Sequence, residues 1–105
     1  MSLKIVYSTF PSVVSAEAAA RKLVEARLAA CGNILPAMIS VYEWQGSLER
    51  ADEVVLLLKT SAEKAAALME ALRQDHPYEV PAILLLPVEE ASPAFAAWVV
   101  AQTGR

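Results

Sequence analysis

Cysteine is nearly absent. Cys31 stands alone, so no disulfide can form within the chain. The fold must therefore hold in a reducing compartment, and any bridge would have to join two chains. Glycine is scarce as well, three in 105 residues, and neither a glycine-rich phosphate loop nor a G-x-S-x-G elbow occurs. Ser8 and Ser15 have no histidine beside them in any nucleophile motif, which leaves hydrolase and nucleotide triphosphatase readings without support. No apolar run approaches the ~18 residues of a bilayer span. The run at 54–58, for instance, is closed by Glu53 and Lys59. The short apolar stretch at 5–7 is followed soon by Pro11 and does not make a signal peptide, so the chain reads as cytoplasmic. Nine basic residues are scattered without a cluster, and the net charge is -3, which argues against nucleic acid as a ligand.

What is abundant is apolar surface. Hydrophobic residues make up 56% of a chain long enough for one core, so residues 1–105 read as a single domain with apolar area left over. Residues 3–8 are short, apolar and β-branched, a first strand running towards Pro11. Ser15 then precedes an alanine-rich helical stripe in which Ala16, Ala20, Leu23 and Arg27 share a face, with Gly32-Asn33 ending the helix or opening the next loop. A second strand follows over 34–44, interrupted by Pro36, and Gln45-Gly46-Ser47 turns it into a third over 48–60. Thr60 to Glu63 has capping-box spacing ahead of a second helix carrying Ala65, Leu68, Met69 and Leu72. Residues 82–86 give a fourth strand between two prolines, and Ser92-Pro93 opens a short third helix marked by Phe95, Trp98, Val99 and Gln102.

This order predicts an α+β fold, a ferredoxin-like β-α-β-β-α-β sandwich with an extended hairpin between strands two and three and a short C-terminal helix. One sheet face should then be open, and its strands should alternate. Instead 54–58 and 83–86 are apolar on both parities, which predicts an oligomer whose subunits cover that face and pair with the over-long hairpin.

Three blocks carry a resemblance: Leu28-Ala29-Ala30-Cys31 running on through Ile34, Pro36, Ser40, Tyr42, Trp44 and Gly46; Glu53-Val54 through Lys59-Thr60; and His76-Pro77-Tyr78 through Pro81 and Leu86-Pro87. With these the chain resembles the CutA divalent-cation tolerance family over nearly its whole length. The resemblance implies a homotrimer with clefts between subunits, and tolerance of copper or another divalent cation; the residues themselves point to no organic cofactor, no nucleic acid or membrane partner and no evident catalysis. It also shows departures. Ala37 stands where glycine is common, Glu43 where an aromatic is common, and Ala82 where glutamate is common. Members credited with copper binding place cysteine, cysteine and histidine where this chain has Ser8, Cys31 and Asp75.

The metal candidates are therefore Cys31 and His76, the latter one place along from the family position. One thiol and one imidazole make an incomplete set unless an assembly supplies more. The plainer readings are a small buried residue for Cys31 and a helix-end residue for His76. Tyr42, Trp44, Lys59, Tyr78 and Glu79, with Glu53, are candidates for a ligand cleft between subunits. The competing reading of those aromatics is interface packing. Function is accordingly read as a trimeric metal-tolerance or metal-responsive protein, with a trimeric small-molecule effector-binding protein as the alternative.

Overall fold

The computed structural model describes residues 2–104. Its elements run β1 (Leu3–Phe10), α1 (Val13–Glu25), β2 (Cys31–Trp44), β3 (Ser47–Ser61), α2 (Ala65–Asp75), β4 (Ile83–Pro87) and α3 (Pro93–Thr103). All strand pairs are antiparallel, and the sheet order is β2-β3-β1-β4. The expected α+β element order is present, with several boundaries moved for local reasons.

Ser12, not Ser15, caps α1. It is extended and its side chain accepts the Ser15 N–H, while the Ser15 hydroxyl returns a bond to the Ser12 carbonyl. The helix stops earlier than its alanine pattern suggests. Arg27 takes a left-handed φ of 64°, its N–H bonds the Val24 carbonyl and that of Leu28 bonds Leu23, the Schellman closure. Arg27 also reaches Gln102 of α3 through Nη1 at 2.8 Å. Gly32 is thus no helix terminator. It lies inside β2, where an added Cβ would sit 3.1 Å from Leu58 and 3.2 Å from Ala20, so it lets α1 approach the sheet.

The capping box expected at Thr60–Glu63 does not form. Thr60 and Ser61 belong to β3, the cap position of α2 is Lys64 without a side-chain bond, and the Thr60 hydroxyl donates to the Leu28 carbonyl at 2.7 Å. Pairing with Lys4 in β1 and complete burial win over the local motif.

The main core is the face under α1 and α2, where Val6, Phe10, Leu56 and Leu58 meet Ala16, Leu23, Leu68 and Leu72. Its stripe on α1, Ala16, Ala20 and Leu23, agrees with the sequence pattern. A smaller core joins Leu3 and Ala30 to Ala96 and Val99 of α3. Since Leu3 alternates with Val6 and Phe10, α3 crosses to the opposite face and covers one end of it. The rest of that face stays partly bare, with Leu35, Leu84 and Leu86 exposed.

β2 and β3 outrun the sheet. β1 stops pairing at Phe10↔Val54, whereas β2 and β3 continue from Met38↔Glu53 to Trp44↔Ser47. The two strands, 38–44 and 47–53, make a two-stranded arm about 24 Å long, in a molecule whose longest extent is 45 Å. A two-residue turn closes it, with Gln45 and Gly46 both at positive φ. At its root is a bulge. Between Leu35↔Val55 and Met38↔Glu53, β2 carries Pro36 and Ala37 against Val54 alone, and Ala37 has φ 65°.

Candidate functional site

The bulge decides what the arm presents. A strand's side chains alternate, so one extra residue reverses which parity faces which side. Before it Cys31, Asn33 and Leu35 face away from α1 and α2. After it Met38, Tyr42 and Trp44 do, aligned with Glu53 and Ala51 of β3. The 76–82 segment, leaving α2, runs past the same end of β1.

Together they enclose a hollow of about 690 Å³ beneath the arm, lined chiefly by Tyr42, Trp44, Glu53, Tyr78, Glu79 and Val80. That volume is in the range of small-molecule sites. Four of the five expected cleft residues, Tyr42, Trp44, Tyr78 and Glu79, meet here, and Glu53 joins them. Lys59 does not. It pairs with Cys31 and Ile5 farther along the sheet, where its ammonium donates to Asn33 Oδ1.

Tyr78 is fixed in place. Its hydroxyl donates to Glu53 Oε2 at 2.7 Å. Burial first, then the bond to Glu53 and the neighbouring charge, hold its phenol well above the usual tyrosine range. The ring therefore stays neutral and a donor. Its backbone N–H donates to His76 Nδ1 at 3.1 Å. Because Nδ1 accepts, Nε2 must carry the proton of a neutral ring, and it donates to the Thr9 carbonyl at 2.9 Å with Ser8 Oγ at 3.2 Å. Ser8 in turn donates to the Ala82 carbonyl at 2.7 Å. Burial pushes the His76 pKa down, against the Thr9 carbonyl and the Glu53 charge, which raise it. The ring also packs on Phe10, centroids 4.4 Å apart, and on Tyr78 at 5.1 Å. His76 thus ties β1 to both ends of the segment that walls the hollow.

The metal candidates are not brought together within the chain. Cys31 is half-buried on the face of Ile5 and Lys59, whereas His76 packs against Ser8 and Phe10 on the other. Of the positions aligned with the family's ligands, Ser8 is buried and bonded to Ala82, and Asp75 receives the Lys22 ammonium. Among the described residues no group of three or more His, Cys, Asp or Glu is arranged to hold a metal ion. The donor set of the described residues does not fit a copper or zinc centre.

Sequence reasoning gave Glu53 only a supporting part, yet it anchors Tyr78. The available signal was parity: Glu53, the charge that closes the apolar run 54–58, falls on the side of Tyr42 once the bulge is counted.

Residues 4–102 match the family model of the CutA1 divalent ion tolerance protein. The CutA homolog of Xenopus laevis is 46% identical over 93% of this chain and 65% of its own length. The mouse protein CutA is 42% identical, and this chain spans 55% of it, so the vertebrate relatives are substantially longer. The divalent-cation tolerance protein CutA of Thermus thermophilus is 41% identical over 96% of this chain and 98% of its own. Among solved structures, CutA from Xylella fastidiosa superposes with a TM-score of 0.95 at 36% identity, covering 98% of this chain and 99% of that one.

Proposed function

Because the chain belongs to the CutA1 divalent ion tolerance family, we propose that it serves tolerance of copper or a related divalent ion, as a homotrimer of ferredoxin-like subunits without catalysis of its own. The observation that carries this reading is the match over residues 4–102, together with a bacterial relative named for that tolerance and covered to 98% of its length. Assembly is supported by the bare apolar positions Leu35, Leu84 and Leu86 and by an arm whose edges lack partners within the subunit. Absence of catalysis is supported by Ser8 and His76, whose polar atoms are already committed to Ala82, Thr9 and Tyr78. The cytoplasm suits a lone thiol.

Metal contact in this reading is made at Cys31 across subunits, because among the described residues no group of three or more His, Cys, Asp or Glu gathers to hold an ion within one subunit. Calorimetric titration of metal-free protein with copper and with zinc tests it. Binding should weaken at least tenfold in Cys31→Ala. Unchanged affinity would remove Cys31, and no binding of either ion would remove direct metal contact. Light scattering at micromolar concentration should return the mass of three chains.

A second reading is favoured by the hollow: an effector-binding protein that works through clefts between subunits, walled by Tyr42, Trp44, Tyr78 and Glu79. A cleft that includes Lys59 would take it from a neighbouring copy.

A further inference from the structure

The hollow beneath the arm has a one-sided chemistry. Three of its residues are aromatic, Tyr42, Trp44 and Tyr78, and the first two are 44% and 46% exposed. Its carboxylates are Asp52, Glu53 and Glu79, and among the described residues no lysine, arginine or histidine lines it. Asp52 faces Arg50 at 3.7 Å and so is partly neutralised. Glu53 is not, because its Oε2 accepts only a neutral phenol and Oε1 has no hydrogen-bond partner among the described residues.

A carboxylate at the base of aromatic walls attracts a cation whose own surface is apolar. Ring faces attract positive charge through their quadrupoles, and a weakly hydrated organic cation gains this without losing a tight water shell. A small metal ion asks instead for several converging lone pairs, which the described residues do not offer. We infer that this hollow takes a small organic ammonium ion, its charged head against the free oxygen of Glu53 among the rings of Tyr42, Trp44 and Tyr78. The inference rests on the effector-binding reading and names the class of effector. Tyr78 sets the site up: its neutral phenol holds Glu53 in position without cancelling the charge.

The test is an NMR titration of the intact protein at neutral pH with tetramethylammonium chloride, set against tert-butanol, an uncharged probe of similar size, and magnesium chloride. Saturable shifts of the Tyr42, Trp44 and Tyr78 ring signals are expected with the ammonium ion, at least tenfold weaker with the alcohol and absent with magnesium. Trp44→Leu should weaken ammonium binding about fivefold, the scale of one cation–π contact. Glu53→Gln, which keeps an acceptor for Tyr78, should weaken it at least as much. If the alcohol binds as well as the ammonium ion and Trp44→Leu weakens both, the pocket stands and the ammonium class is overturned. If neither probe shifts these rings, pocket and class fall together. Shifts that vanish as copies assemble would give the hollow to a neighbouring subunit and overturn the inference.

Discussion

His76, the chain's one histidine, works as a clip. Both ring nitrogens are used, Nδ1 by the Tyr78 N–H and Nε2 by the Thr9 carbonyl. Protonation would put a second N–H at Nδ1 facing the N–H of Tyr78, two donors opposed. The direction of the shift gives a sign. The folded pKa lies below the ordinary 6.5, so between the two values the unfolded chain binds more protons than the folded one, and stability rises with pH there. The contribution of His76 should be complete above pH ~6.5 and decline as pH falls through its lowered folded value. Thermal unfolding followed from pH 7.5 down to pH ~4.5 should show that loss. His76→Gln should have a lower midpoint at pH 7 and a flatter profile across the window; an unchanged profile would assign the dependence to another group. Sequence could nominate an imidazole and a thiol as ligand types. It could not see that Cys31 and His76 lie on opposite faces, because the pairing that fixes the face of Cys31 is with Lys59, 28 positions away by number.

At the level of elements, the Pro36-Ala37 bulge is the decisive irregularity. Proline supplies no ladder N–H, and Ala37 is held at φ 65°, a region where a Cβ costs roughly 1–2 kcal/mol. Glycine at 37 relieves that strain but loses more freedom on folding, which offsets about half of the gain. Ala37→Gly is therefore expected to stabilise the fold by about 0.5–1 kcal/mol, read as a higher midpoint in chemical denaturation with the same slope. A lower midpoint would contradict the account of the bulge. Much of the fold was legible because hydrophobic period and turn chemistry agreed: the turn falls at Gln45-Gly46, with Ser47 already in β3, the α1 stripe holds as far as Leu23 but not at Arg27, and α3 starts at Ser92-Pro93, though without a side-chain bond from Ser92. What failed did so where distant contacts outweighed local signals. Thr60 had a cap's spacing but is held by β1 and the Leu28 carbonyl, and Arg27 ends α1 without the glycine that usually marks such an end. In the candidate site, Tyr42, Trp44, Tyr78 and Glu79 were legible as residue types. They were also grouped for a cleft between subunits; that the four meet within one chain was not legible, because it depends on one extra residue in β2.

For the whole molecule, the sheet has two unequal faces. One is closed by α1 and α2; the other is covered by α3 only at the end near Leu3 and Ala30. Leu84, 54% exposed on β4 beside Tyr7, belongs to the bare remainder, so a charge there adds little strain to a lone subunit. Burial of that charge against another copy would be strongly unfavourable. Leu84→Asp should accordingly keep a native circular dichroism spectrum and thermal transition while shifting light scattering from the mass of the proposed trimer to that of one chain. A variant that remains assembled would show that this face is not the contact.

β1 ends at Phe10, opposite Val54, and beyond that point β3 has only β2 beside it. Measured as deuterium uptake, this makes β3 a single strand with two clocks. Amides at 54–61 open only when the core does, while those at 47–53 are released by fraying of a ribbon that, among the described residues, has no third strand beside it. Peptides on either side of Val54 should therefore exchange at rates differing by orders of magnitude in dilute, dissociated protein. The step should shrink as copies associate and the arm gains a partner, so one boundary within one strand reports assembly from inside the chain.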